Sequence, residues 1–78
     1  MGIDRAAFER GHTAGWRDAD HPHLNPDDIA AHEDRDDYDR GVKDGYFARL
    51  LRKMGHLADS RMDARQQWIE ATRKERGS

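Results

Sequence analysis

The chain has 78 residues, 38% of them Asp, Glu, Lys or Arg, with a formal net charge of -2 and no cysteine. A chain of this length makes at most one small domain with a marginal hydrophobic core, and the missing cysteines exclude disulfides and thiolate metal sites as its supplement. No apolar run approaches the roughly 20 residues of a membrane helix, and MGIDRAAFERG has no signal-peptide core, so a cytoplasmic protein without a membrane partner is expected.

The charge divides along the chain. Residues 1–48 hold 6 Lys/Arg against 12 Asp/Glu, a net of -6, and residues 49–78 hold 8 against 4, a net of +4. An acidic front repels nucleic acid while a basic back attracts it, so composition alone points neither to a general DNA binder nor to a simple acidic mimic.

Asp4 can cap a first helix through RAAFERGHTAGWRDA, in which Phe8, Gly11, His12, Gly15 and Ala19 recur at helical spacing. Asp18 and Asp20 suit a helix C-terminus poorly, and DHPHLNP breaks the pattern near Ala19. Asn25-Pro26-Asp27-Asp28 restarts a helix, with a capping side chain, proline at the first position and two acids at the positive dipole end.

HEDRDDYD combines weak helix formers with favourable i, i+4 pairs from Asp36 to Arg40 and from Asp39 to Lys43, which predicts a short helix, a break and then a long helix. The long helix carries Tyr38, Val42, Gly45, Tyr46, Leu50 and Met54 as one stripe. It ends at Gly55, a C-cap glycine after Arg52 and Lys53, with Leu57 placed for the accompanying apolar contact. Ser60 and Asp63 form a capping-box-like pair that opens a C-terminal helix over about residues 59–76. Nothing alternates with period two. The expected fold is a single all-α domain over 1–78, a helical hairpin over 4–54 plus that C-terminal helix.

Two segments, FERGHTAGWRD from Phe8 and YDRGVKDGYFA from Tyr38, repeat an aromatic, an acid, an arginine and two glycines four apart. An interior helical glycine costs about 0.5–1 kcal/mol relative to alanine, so four of them require an offsetting contact. Spacing of four stacks Gly11 over Gly15 and Gly41 over Gly45, and Ala7 and Ala19 extend the first pair into a small-residue ridge. Such ridges let two helix backbones approach closely. The expectation is that the two pairs face each other, with Phe8, Trp16, Tyr38 and Tyr46 closing over the groove. The alternative is that one pair forms a groove for an external helix or for a second copy of the chain, and a homo-oligomer is expected.

AFERGHTAG, a turn with NP and then YDRGVKDGY together resemble the ribosome modulation factor family over about residues 6–48. The resemblance implies a helical hairpin and an association with ribosomal RNA that silences translation.

Arg49, Arg52, Lys53 and His56 fall on one helix face at i, i+3, i+4 and i+7, and Arg61 and Arg65 extend the basic surface; such a stripe can track phosphates. Phe47 and Trp68 are candidates either for base stacking or for the core. His21 and His23 stand among Asp18, Asp20, Asp27 and Asp28, but without cysteine or a second His pair at ligand spacing no metal and no cofactor are expected. There is no phosphate loop. Ser60, Ser78, Thr13 and Thr72 lack an identifiable base, so neither an enzyme nor a small-molecule substrate is expected. The acidic run from Asp27 to Asp39 can imitate phosphate spacing. The leading functional expectation is therefore a small regulator bound to RNA or the ribosome, and the competing one is a phage-encoded regulator that docks on a host protein.

Overall fold

The computed structural model describes residues 4–56 and 63–77. These form four helices and no strand: α1 (Arg5–Asp18), α2 (Pro26–Ala31), α3 (Asp37–Lys53) and α4 (Ala64–Gly77). The all-α class is as expected, and α1 packs along α3 in a hairpin-like pair.

Local chemistry sets the helix ends. The Asp4 carboxylate accepts from the Ala7 amide at 3.1 Å, and the Asn25 side chain accepts from the Asp27 amide at 2.9 Å ahead of Pro26. Asp36 caps α3 through the Asp39 amide at 2.9 Å, where the spacing predicts a side-chain pair with Arg40. The other predicted pair is also redirected: Asp39 accepts from the Arg35 amide, and Lys43 pairs with Asp34 at 3.1 Å. Gly55 has φ +87°, and the Gly55 and His56 amides donate to the Arg52 and Leu51 carbonyls at 3.0 and 2.9 Å, which is a Schellman closure. Leu57, the expected apolar partner of that closure, lies outside the described residues, as does Ser60. The described part of the C-terminal helix begins at Ala64, where Asp63 accepts from the Arg65 amide at 2.9 Å; its expected start near residue 59 lies outside the described residues.

The two arms of the hairpin-like pair run in the same direction. Asp4 donates its amide to the Asp37 carboxylate at one end, and Lys53 donates to the Ala19 carbonyl at the other, 2.8 Å in each case. Between them, Gly11 faces Tyr38 and Val42, and Gly15 faces Val42 and Tyr46, so positions on α1 and α3 rise together. A parallel pair requires the chain to travel back the full length of α1, about 21 Å at 1.5 Å per residue. The segment from Ala19 to Asp36, with α2 inside it, makes that return.

All four glycines lie in this seam. A Cβ on Gly11 would stand 2.1 Å from the Tyr38 carbonyl oxygen, and one on Gly41 would stand 2.1 Å from that of Phe8. For Gly15 the distance is 1.9 Å to the Val42 oxygen, and for Gly45 it is 2.0 Å to the His12 oxygen. Adding 30 to 11, 8, 15 and 12 gives 41, 38, 45 and 42, so the repeat offset is the operator of an internal pseudo-twofold axis. Each glycine presents a Cα hydrogen where a side chain would be. Four contacts of this kind at about 0.5–1 kcal/mol each offset the propensity cost of four glycines, which is of the same size. The glycine faces are thus used inside the chain, each against the backbone of the other helix.

Parallel packing also collects charges of one sign near each pair of helix ends. Two helix N-termini lie at one end and two C-termini at the other, each carrying about half a charge. Asp4, Asp36, Asp37 and Asp39 cluster at the first end, and Arg17, Arg49, Arg52 and Lys53 at the second.

The core sits beside the seam, where Ala19, Tyr46, Phe47, Leu51 and Ala64 are buried and Leu24, Ile29, Leu50 and Trp68 pack on them. The predicted α3 stripe is rotated: Phe47 and Leu51 lie at its centre, and Leu50 and Met54 are only half-buried. The cause is α4, whose Trp68 ring sits 5.1 Å from Phe47, while Tyr46 meets Phe47 edge-on at 5.2 Å. Tyr38 is 41% exposed and does not close over the seam; its contact with Gly11 is made by its carbonyl.

Candidate functional site

On α1, spacing of four places Phe8, His12 and Trp16 on one line, with ring centroids 6.5 and 6.1 Å apart. None of the three is fully buried. Because α3 runs parallel, its last turns end beside Trp16, and two guanidinium groups sit on the indole. Arg49 Cζ is 5.4 Å and Arg52 Cζ 6.0 Å from the ring centroid. Cation–π contacts at exposed positions contribute about 0.5–1 kcal/mol each, and here they also restrict two long side chains.

Asp20, just beyond the C-terminus of α1, completes the cluster. Its Oδ1 lies 2.7 Å from Lys53 Nζ and 3.6 Å from Arg49 Nε. The hydrogen bond from Lys53 is the main reason that its carboxyl is held below the usual carboxylate range. Arg49 Nε is sealed from water and makes no hydrogen bond.

Midway along the ladder, His12 Nε2 stands 3.4 Å from Asp44 Oδ2. Burial raises the Asp44 carboxyl, and both His12 and a hydrogen bond from the Ala64 amide oppose that rise. Asp44 therefore joins α1, α3 and the start of α4. Beyond Phe8 lies an open depression of about 370 Å³ whose wall includes Arg40, Lys43, Asp44 and Arg65.

The five described residues among the predicted phosphate contacts are divided between two places. Arg49, Arg52 and Lys53 converge on Trp16 and Asp20, and His56 is exposed just past the end of α3. Lys53 donates to the Ala19 carbonyl and pairs with Asp20, tying α3 to the end of α1, and its side chain is still 41% exposed. Arg65 belongs to the depression at Phe8, because Asp63 and Asp44 anchor the start of α4 there. Arg61 lies outside the described residues. Phe47 is core, with no exposure, and Trp68 packs on it.

Trp16, read from the spacing as a lid on the glycine groove, is instead the support of two arginines. The i, i+4 ladder through Phe8, His12 and Trp16 was legible in the sequence, but its meeting with residues 33 and 36 positions later was not. No group of three or more metal-ligating side chains converges among the described residues, and none of the described helices is long and apolar enough to cross a membrane.

No protein-family model matches the chain, and searches of curated proteins and of solved structures also found no match.

Proposed function

We propose that the chain is a small non-enzymatic regulator that binds RNA or the ribosome, in the manner that its resemblance to the ribosome modulation factor family implies. One observation carries the reading: Arg49 and Arg52 are held on the face of Trp16, at the end of a ladder of three partly exposed rings. Helix dipoles account for cations at this end, but they do not require an aromatic support beneath them. Guanidinium groups restricted on a ring present N–H donors to phosphate at reduced entropic cost, and the adjoining rings offer π-faces to unpaired bases.

The test is co-sedimentation with purified ribosomes together with binding of a labelled single-stranded RNA across a salt series. Association at 50 mM salt that falls steeply with added salt is expected. Arg52→Gln should lower the log–log slope by about 0.7, the increment of one single-strand phosphate contact. A protein left wholly in the supernatant at 50 mM salt refutes the reading.

A second reading, docking on a basic surface of a host protein, is favoured by the exposure of Asp27, Asp28, Glu33 and Asp34 along α2 and the segment after it. Affinity capture from nuclease-treated lysate separates the two, since a partner retained without RNA supports the second.

A further inference from the structure

The Asp20 carboxylate sits between two cations and engages them unequally. Its one engaged oxygen is 2.7 Å from Lys53 Nζ but 3.6 Å from Arg49 Nε, which is too far for a hydrogen bond. Arg49 Nε consequently remains a water-excluded donor without an acceptor, although the charge pair is formed. The short aspartate arm, fixed to the backbone just after α1, satisfies the ammonium and falls short of the guanidinium.

From this geometry we infer that Lys53, Arg49 and Arg52 form a subsite for one backbone phosphate of RNA, and that Asp20 is a built-in competitor occupying it. The inference rests on the RNA reading above and names the group that the basic end takes. A phosphodiester has two anionic oxygens and is tetrahedral, so one oxygen can meet Lys53 Nζ while the other reaches the Arg49 guanidinium, whose side chain is 30% exposed. Lys53 Nζ stays in place without Asp20, because it also donates to the Ala19 carbonyl at 2.8 Å. Arg49 and Arg52 stay because Trp16 supports them. The competitor is free to leave: Asp20 is 56% exposed.

Local charge points the same way. Arg17, Arg49, Arg52 and Lys53 against Asp18 and Asp20 leave a formal +2 at this end of the molecule. The two helix C-termini, at about half a negative charge each, reduce it to about +1. Loss of the Asp20 charge therefore roughly doubles the local positive field.

The experiment compares wild type, Asp20→Asn, Arg52→Gln and a charge-matched control, Asp28→Asn on α2, for binding of a labelled single-stranded RNA between 50 and 300 mM salt. Far-UV circular dichroism confirms that each variant is folded. Asp20→Asn should bind about three- to tenfold more tightly at 50 mM salt, with a log–log slope steeper by about 0.7, while Asp28→Asn should change affinity by less than twofold. Asp20→Ser removes the same carboxylate and takes the place of Asp20→Asn if that variant loses helicity. If wild type binds and Arg52→Gln weakens it, but Asp20→Asn matches wild type or Asp28→Asn, the competitor is refuted and the RNA reading stands. If neither wild type nor Asp20→Asn binds at 50 mM salt, both are refuted. Binding by Asp20→Asn alone supports the competitor in its strongest form.

Discussion

Gly15→Ala probes the contact on which the α1–α3 pair depends. The added Cβ would lie 1.9 Å from the Val42 carbonyl oxygen, 2.7 Å from the Val42 carbonyl carbon and 2.8 Å from the Tyr46 amide nitrogen. All three are backbone atoms inside α3, so no side chain can rotate away. The helices must separate by about 1.5 Å to reach an ordinary contact of about 3.5 Å. A gap of that size removes most of the Cα–H···O contacts at the seam, about 0.5–1 kcal/mol each, together with the dispersion between the two ridges. Alanine contributes about 0.5–1 kcal/mol of helix propensity in the opposite direction. The net expectation is a loss of about 2–4 kcal/mol, a large share of the roughly 4–12 kcal/mol available to a domain of this length.

Urea unfolding followed by circular dichroism at 222 nm measures the loss, and thermal unfolding should show a midpoint lower by about 10–20 °C. Gly55→Ala is the control. Gly55 has φ +87° and nothing within 4 Å of its added Cβ, so this substitution carries backbone strain of about 1–2 kcal/mol and no seam clash. A Gly15→Ala protein more stable than wild type, by the amount helix propensity predicts, would refute the close seam. Gly11→Leu is a harsher form of the same test, and it should unfold or rearrange the pair.

Phe47→Ala empties the centre of the core, where the ring has no exposure and touches both Tyr46 and Trp68. A loss of about 3–5 kcal/mol is expected in urea unfolding, with collapse of the near-UV aromatic signal; a loss below about 1 kcal/mol would contradict the assigned core. Acid unfolding tests Asp20. Its folded-state pKa is depressed, chiefly by the hydrogen bond from Lys53, so its stabilising contribution is complete above the unfolded value and is lost as pH falls through the folded one. Asp20→Asn should therefore flatten the loss of stability below about pH 4 and leave the curve above it parallel to wild type. Identical acid limbs in the two proteins would show that the Asp20–Lys53 contact is absent in solution.

The features legible in the sequence are those decided within a few residues. Asp4, the Asn25-Pro26 start and the Gly55 closure are local hydrogen-bonding and dihedral requirements, and each is found where the residue types place it. Asp36 is of the same kind, and the i, i+4 reading misassigned it because its carboxylate had a nearer donor in the Asp39 amide. The two glycine pairs were legible for a related reason, since four interior glycines carry a propensity cost that only a close helix contact offsets.

Tertiary structure alone decided the direction of that contact. Gly-x-x-x-Gly ridges fit in either polarity, and only the long return through α2 makes the pair parallel. Polarity then sets the basic cluster: it gathers the helix C-termini and their arginines at one end, brings Arg49 and Arg52 onto Trp16, and seats Asp20 against Lys53, while Arg65 lines the depression at Phe8. It also leaves Tyr38 outside and draws Phe47 in, because α4 covers the side of α3 that spacing alone could not distinguish. Residue types and spacing were thus enough for an all-α chain with two helices built for close contact. Which residues meet across that contact depended on pairings about 30 positions apart, which no local preference encodes.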